Sequence, residues 1–450
     1  MKNSNHKART GPVRATAGRK RERPRAARKK PTVAILHYSC PPVIGGVEFV
    51  IESHARLFAN EGIAVRTIVG KGGDVHQGVS TRVVPEIASD GGPLRAVVGA
   101  LNKGAVPNAF PQAVKQVERE LKKALKGVDV CMVHNVMTMH FNLVATAALA
   151  NIMADGGKTR FIAWCHDSTF ADASYRRHQR EEYPWSLLKQ ALPGCRYSVI
   201  SKQRQKEFSR LFGIPRTHLP VFPDGVSVTS LLGLTPQVRA FYREEKIFDK
   251  DIVAITPTRI VRRKNLETGI EIVAAMKAMG KSVRWMITGA PDPHNADANV
   301  YYRELVMQRK KLGIEKEVVF LCERFKERIG RESLRSLMAI SDMLMFPSKK
   351  EGFGIPVLEA GLADLILVLS DIPALREIAG PDAVYIPRDY NPRAIAKLAW
   401  SAFRKSPNLQ FRKRILRDYS WPAVFVKKIL PAILDPDSVW PKTELRSAEI

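Results

Sequence analysis

Short apolar runs alternating with amphipathic segments constrain the fold of this chain more than any other feature. Thr32 to Leu36, Ile63 to Val69, Val128 to Val133, Phe161 to Trp164 and Tyr197 to Ile200 read as buried strands. After the first of them, Val47, Ile51 and Phe58 share one helical face, and Gly62 is placed to end that helix. Strands apolar on both sides, separated by helices, are the signature of a parallel sheet covered on both faces. The pattern restarts after a Pro-rich stretch from Pro215 to Pro223. Asp251 to Ile255, Val283 to Thr288, Val318 to Leu321, Met343 to Phe346, Leu365 to Leu369 and Val384 to Ile386 continue it as strands. Leu266, Ile270, Val273 and Ala274 mark a helix ending near Gly280, and Asn391-Pro392 offers a cap and a first-turn proline for a late one. The expected architecture is α/β, two doubly wound domains in tandem.

Charge narrows the partners. The 450 residues carry a formal charge of +28. Residues 1–30 hold 12 Lys/Arg against one Glu and so carry +11, which leaves +17 on the remainder. Lacking apolar periodicity, those 30 residues are expected to form a disordered basic tail. A solvated arm is the plain reading; contact with anionic membrane, contact with nucleic acid, or an organelle transit peptide are the sharper ones. The body's excess charge fits a polyanionic ligand or an anionic surface.

No apolar run approaches the roughly 18 residues that span a bilayer; the nearest, Pro356 to Ser370, is broken by Glu359 and Asp364. No apolar stretch follows the basic N-terminus as a secretory signal requires. Cys40, Cys131, Cys165, Cys195 and Cys322 are odd in number and form no CxxC pair. Neither a disulfide framework nor a thiolate metal site is expected, and the setting reads as reducing and cytoplasmic.

Ligands of doubly wound sheets sit outside the carboxyl ends of the strands, so the loops after strands carry the candidates. Gly45-Gly46-Val47-Glu48 closes the first such loop, where glycines admit a ligand and helix N–H groups favour anions. Arg259, Arg262, Arg263 and Lys264 crowd the loop after Asp251 to Ile255. Four cations before a helix oppose its dipole, a conflict that a bound diphosphate would resolve. Glu351-Gly352-Phe353-Gly354-Ile355-Pro356-Val357-Leu358-Glu359 follows the Met343 strand. Pro356 suits a first helical turn, which places Glu359 within that turn and Glu351 on the loop; carboxylates there are good acceptors for sugar hydroxyls. Trp164-Cys165-His166-Asp167 ends a strand of the first half and offers an acid/base or a hydroxyl-orienting group, with His134-Asn135 as a weaker parallel.

In this order, the pieces resemble the retaining glycosyltransferases of family 4, over nearly all of residues 31–430. Glu351 and Glu359 match the family's E-x7-E motif, Arg259 and Lys264 its Arg…Lys pair, Gly45-Gly46 its glycine loop and His166 its active-site histidine. Pro223-Asp224-Gly225-Val226 resembles its interdomain P-N-G-V with Asp in place of Asn, and Tyr419-Ser420-Trp421 the start of its last helix. Cys322 and Gly361-Leu362-Ala363-Asp364 depart from the family pattern near the expected nucleotide pocket.

The resemblance implies the GT-B fold, two Rossmann-like domains facing across a cleft. Beyond the basic tail over 1–30, it implies an acceptor-side domain over 31–228, a nucleotide-sugar domain over 229–395, and helices over 396–450 crossing back to the first. It further implies a donor of the UDP-glucose or GDP-mannose type and no metal or other cofactor. The acceptor would be a sugar, a sugar acid or a glycolipid, with peripheral contact to an anionic membrane at the inner face left open. Catalytic roles fall to His166, Glu351, Arg259 and Lys264. Donor binding falls to Gly45, Gly46, Arg259, Lys264, Glu351, Gly352, Phe353, Gly354 and Glu359. A hydrolase or epimerase of sugar nucleotides on the same fold is one competitor. A basic protein binding membrane or nucleic acid is another, though no specific nucleic-acid module is evident. Asp435-Pro436-Asp437, the lone Asp-x-Asp, is assigned no role.

Overall fold

The structure is a computed structural model describing residues 30–291, 296–325, 327 and 329–441. The basic tail, apart from Lys30, therefore lies outside the described residues, as does everything beyond Pro441.

Strands β1 (Val33–Ser39), β2 (Val65–Lys71), β3 (Ser80–Val83), β4 (Val130–His134), β5 (Arg160–Cys165) and β6 (Cys195–Val199) form one parallel sheet in the order β3-β2-β1-β4-β5-β6. Strands β7 (Ile252–Thr256), β8 (Val283–Ile287), β9 (Val318–Phe320), β10 (Met343–Phe346), β11 (Ile366–Ser370) and β12 (Ala383–Ile386) form a second, ordered β12-β11-β10-β7-β8-β9. Counted within its own domain, each sheet has the same winding, so the chain builds one doubly wound unit twice. Every strand read from the sequence is present. The one it missed, β3, has no apolar run to betray it, because it lies at a sheet edge with three of its four residues exposed.

Helix boundaries follow local chemistry. Helix Gly46–Asn60 stops before Gly62, whose φ of +64° is easy only for glycine. Asn391 caps helix Pro392–Lys405 by accepting from the N–H groups of Arg393 (2.9 Å) and Ala394 (3.1 Å). Inside helix Leu266–Ala278, Gly269 makes room for the buried Trp285, since a Cβ there would stand 2.3 Å from the indole.

Both faces of each sheet are buried. On one face of the first, Val33 and Ile35 pack with Phe425, Ile429 and Ile433, residues that follow the second domain in sequence. The phenyl rings of Phe58 and Phe425 meet edge to face at 5.0 Å. The chain crosses between domains twice side by side: Val226 bridges to Ser420, and Gly225 lets the Trp421 ring in where a Cβ would stand 2.6 Å away.

Asp342, at the start of β10, is fully buried and holds the second domain's seam. It accepts from the Val253 N–H (2.8 Å), Lys413 Nζ (2.6 Å) and Arg412 Nη2 (3.2 Å). Asp342→Ala strands two half-buried cations and a backbone donor. A loss of about 3–5 kcal/mol is expected, read as a lower urea midpoint of the second domain.

Candidate functional site

The winding reverses between β1 and β4 in one sheet and between β7 and β10 in the other, so the loops after these strands part and leave a crevice. Candidate residues gather at both crevices.

In the first domain they form a buried histidine chain. His37, near the carboxyl end of β1, has Nδ1 2.8 Å from the His134 carbonyl, so Nδ1 carries the hydrogen and donates. Its bare Nε2 faces Glu48 Oε1 at 3.9 Å, and Glu48 also accepts from Ser39 Oγ at 2.6 Å. Burial pushes the His37 pKa down to about 4, against the pull of the His134 carbonyl and Glu48. His134 Nδ1 and His166 Nε2 stand 3.1 Å apart, while His166 Nδ1 faces Asp224 Oδ2 at 3.6 Å.

The hydrogens can be placed by elimination. A hydrogen on His166 Nε2 would turn a bare Nδ1 toward a carboxylate and put the His134 hydrogen on Nε2, which is buried without a partner. The other choice, His134 Nδ1–H donating to His166 Nε2 and His166 Nδ1–H turned to Asp224, leaves only a lone pair orphaned. Both edges of the His166 ring are thereby engaged, and its backbone N–H is fixed by Asn135 Oδ1 at 2.9 Å. Beyond His134, His54 is fully buried with neither nitrogen hydrogen-bonded, set edge-on to Trp164 and Trp421 at 5.0 and 5.1 Å.

In the second domain Lys264 Nζ meets Glu351 Oε1 at 2.5 Å, with both side chains nine-tenths buried. This ion pair joins the loop after β7 to the loop after β10. Arg263 Nη1 adds to it at 3.4 Å from Glu351 Oε2, and the Lys264 ammonium lies 4.8 Å from the Phe346 ring centre. Burial lowers the Lys264 pKa, opposed by its bond to Glu351. Burial alone would raise Glu351, but the Lys264 hydrogen bond and charge outweigh it and hold the carboxyl below its usual range. Arg259 is exposed on the same loop, and its charge helps depress Lys264.

Two expectations need correction. The loop's cations are not left without anions: Arg262 pairs with Glu304 (2.8 Å) and Asp297 (3.7 Å), and Arg263 and Lys264 pair with Glu351. Acidic residues distant in sequence supply what the dipole argument lacked. Glu359 is also not in a first helical turn. Gly354 caps the helix from φ +114°, so the helix opens at Ile355 and Glu359 falls beyond its first turn, exposed. The dipole gains little from a carboxylate there.

The glycines divide by cause. A Cβ at Gly45 would stand 2.1 Å from the Glu48 carboxylate, and Gly354 needs its positive φ. Gly46 and Gly352 have nothing within 4 Å of a Cβ, so the protein itself does not require glycine there. Glu48 was named only as part of the glycine loop, and His37 and His54 were missed, because His37 sits in an apolar strand and His54 six residues after Glu48 on the same helix, and only packing brings them to the site. Phe353 is exposed beside this site. Among the described residues no group of three or more His, Cys, Asp or Glu is arranged to hold a metal ion.

The histidines make a pH prediction. Folded pKa values of about 4 for His37 and His140 and about 3 for His54 lie below the ordinary 6.5, burial being the main cause in each. Between those values and 6.5 the unfolded chain binds more protons, so stability rises with pH there and falls on acidification. The expected loss is about 1 kcal/mol per pH unit per histidine. Urea midpoints of the first domain at pH 7 and pH 5 check this, and an unmoved midpoint contradicts it.

Comparisons with known proteins follow the same two-part division. The model for Glycosyltransferase Family 4 matches residues 44–230, and that for Glycosyl transferases group 1 matches residues 238–415. Mannosylglucosylglycerate synthase of Petrotoga mobilis is 25% identical over 274 residues, 57% of this chain and 63% of that protein. Its counterpart in Thermotoga maritima is 22% identical over 370 residues, 78% of this chain and 82% of that one. The serotype-specific mannosyltransferase WbdA of Escherichia coli is 29% identical over 184 residues, 36% of this chain and 22% of that protein. The chain thus spans less than two thirds of the Petrotoga relative and about a fifth of WbdA. Among solved structures, a Rickettsia africae glycosyltransferase aligns over 90% of this chain and 99% of its own at 14% identity and a TM-score of 0.34. With the two family models together covering residues 44–230 and 238–415, the chain belongs to the group 1, family 4 glycosyltransferases.

Proposed function

We propose that the protein transfers a hexosyl group from a nucleoside-diphosphate sugar to an acceptor hydroxyl, with retention at the anomeric carbon. The observation that carries this reading is the buried Lys264–Glu351 pair at the winding reversal of the second sheet, flanked by Gly352, where the protein leaves a Cβ free space. A cation for phosphate and a carboxylate for sugar hydroxyls are thus held on one rigid seam. Glu351 has four acceptor positions on two oxygens, so pairing with Lys264 and Arg263 leaves it able to bind hydroxyls.

In the proposed reaction the anomeric C–O bond to the diphosphate breaks and a bond to the acceptor oxygen forms on the same face. The acceptor proton passes to a phosphate oxygen. Arg259 and Lys264 stabilise the charge that builds on the departing diphosphate, with backbone N–H groups at Gly45 and Gly46 assisting. Glu351 and the Gly352-Phe353-Gly354 backbone hold the hexose, and Glu359, exposed and past the first turn, takes the ribose hydroxyls. His166, oriented by His134 and Asp224, contacts the hexose or the acceptor from the first domain, so closing the cleft completes the site. No step uses a metal. Because three of the similar proteins carry mannosyl in their names, GDP-mannose is the first donor to try and UDP-glucose the second.

Calorimetry with GDP-mannose, UDP-glucose and an ADP-sugar tests the reading. One donor should bind, and Glu359→Ala should weaken it about 10-fold or more with the thermal midpoint unchanged. If no donor binds the intact protein, the transferase reading fails. Release of nucleoside diphosphate that needs no acceptor would instead favour a hydrolase.

The two free glycines give an independent check. Gly46→Ala and Gly352→Ala should keep stability, gaining up to about 1 kcal/mol at the helical position, while donor affinity falls. Gly354→Ala should cost about 1–3 kcal/mol of stability by itself.

A further inference from the structure

The loop from β5 to β6 leaves the sheet at His166 and carries three closely spaced arginines, Arg176, Arg177 and Arg180, that the proposed reaction does not use. A short helical stretch, Ala173–His178, brings Arg176 and Arg177 to the surface. The stretch is tied down rather than trailing. Asp172 accepts from the Ser174 N–H at 2.8 Å, and Gln179 Nε2 donates to the Thr169 and Asp172 carbonyls at 2.8 and 3.2 Å. Arg177 Nε donates to His178 Nε2 at 3.0 Å. The His178 ring in turn stacks on His140, from the loop after β4, with ring centres 3.9 Å apart. Arg180 lies along the Trp185 ring at 5.5 Å with its buried Nε making no hydrogen bond. It is packed against Gly104, where a Cβ would stand 1.8 Å from its guanidinium.

The loop also carries Asp167, Asp172, Glu181 and Glu182, but none of them pairs with these three arginines. Among the described residues, Arg176, Arg177 and Arg180 make no ion pair; Asp167 pairs with Arg204 at 2.8 Å and Glu181 with Lys189, and Asp172 accepts from the Ser174 N–H instead. The histidines register the same field. Burial lowers both His140 and His178, the Arg177 charge lowers both further, and only the Asn102 backbone opposes it at His178. Arg177, bonded to a stacked imidazole, and Arg180, held over Trp185, stand with Arg176 where no carboxylate pairs with any of the three, so their guanidinium groups are left for an anion to engage. They stand on loops that leave the carboxyl edge of the first sheet, the edge that carries His166.

We propose that Arg176, Arg177 and Arg180, with His140 and His178, bind an anionic group on the acceptor, a carboxylate or a phosphate. This rests on the transferase reading and specifies its acceptor. The hydroxyl that attacks would belong to a molecule anchored by its charge on this loop, while its neutral part reaches toward His166. Arg177 and Arg180 present planar donors suited to either oxyanion.

The test pairs acceptors that differ only in charge: glucuronate against its methyl ester, and glucose 6-phosphate against glucose, each with the donor that calorimetry identifies. The charged member of at least one pair should be glycosylated preferentially, and which pair responds distinguishes carboxylate from phosphate. Arg177→Gln and Arg180→Gln should each raise KM for that acceptor about 10- to 100-fold and abolish the preference, with donor affinity unchanged within about twofold. A donor-competent enzyme that uses no charged member, or favours the neutral ones, overturns the proposal. So does an unchanged acceptor KM in both variants. Failure to bind any donor would sink the transferase reading instead, so the two failures are distinguishable.

Discussion

Reversal of strand order within each parallel sheet is the constraint on which the rest depends. Crossovers run outward from β1 and β7 in one direction and from β4 and β10 in the other. Loops after these central strands cannot cover one another, and a crevice opens at the carboxyl edge of each sheet. All the buried ionisable pairs described for the site sit there. Lys264 and Glu351 bridge β7 and β10, and His37 and His134 bridge β1 and β4. The central strands β1, β4, β7 and β10 are apolar and buried, so they hold these loops rigidly, as a site built on charge alignment requires.

The two crevices solve the problem of buried polarity differently. In the second domain a cation and a carboxylate are desolvated together and remain charged, which is tolerable only because they meet at 2.5 Å. In the first, burial lowers the pKa of His37, His54 and His134, and neighbours direct the ring hydrogens: His37 donates to a carbonyl and His166 turns its Nδ1 to a carboxylate. One edge therefore presents fixed charge and the other fixed dipoles. That division suits a reaction in which a diphosphate leaves one domain's side while a hydroxyl is delivered from the other's.

Much of this was legible in residue order. Buried parallel strands announce themselves as unbroken apolar runs, and β3 escaped because an exposed edge strand has no such run. Gly354-Ile355-Pro356 signalled a helix start but not its phase. A left-handed glycine cap begins the helix one residue before the proline and moves Glu359 out of the first turn. The cations of the Arg259 to Lys264 loop looked unbalanced because their partners, Glu304 and Glu351, lie 42 and 87 positions from Arg262 and Lys264.

By itself, the sequence determined the winding, the repeat of one α/β unit, the loops that carry chemistry and the family motifs within them. These are local properties: apolar period, glycine and proline placement, charge within a loop. Only the tertiary structure decided which residues meet. Packing put His54, His134 and Trp421 together, set Asp224 against His166, and left Arg176, Arg177 and Arg180 unpaired with the acids of their own loop. The reason is physical. A hydrogen-bond direction or an uncompensated charge belongs to several chain segments at once, and no one-dimensional pattern records it.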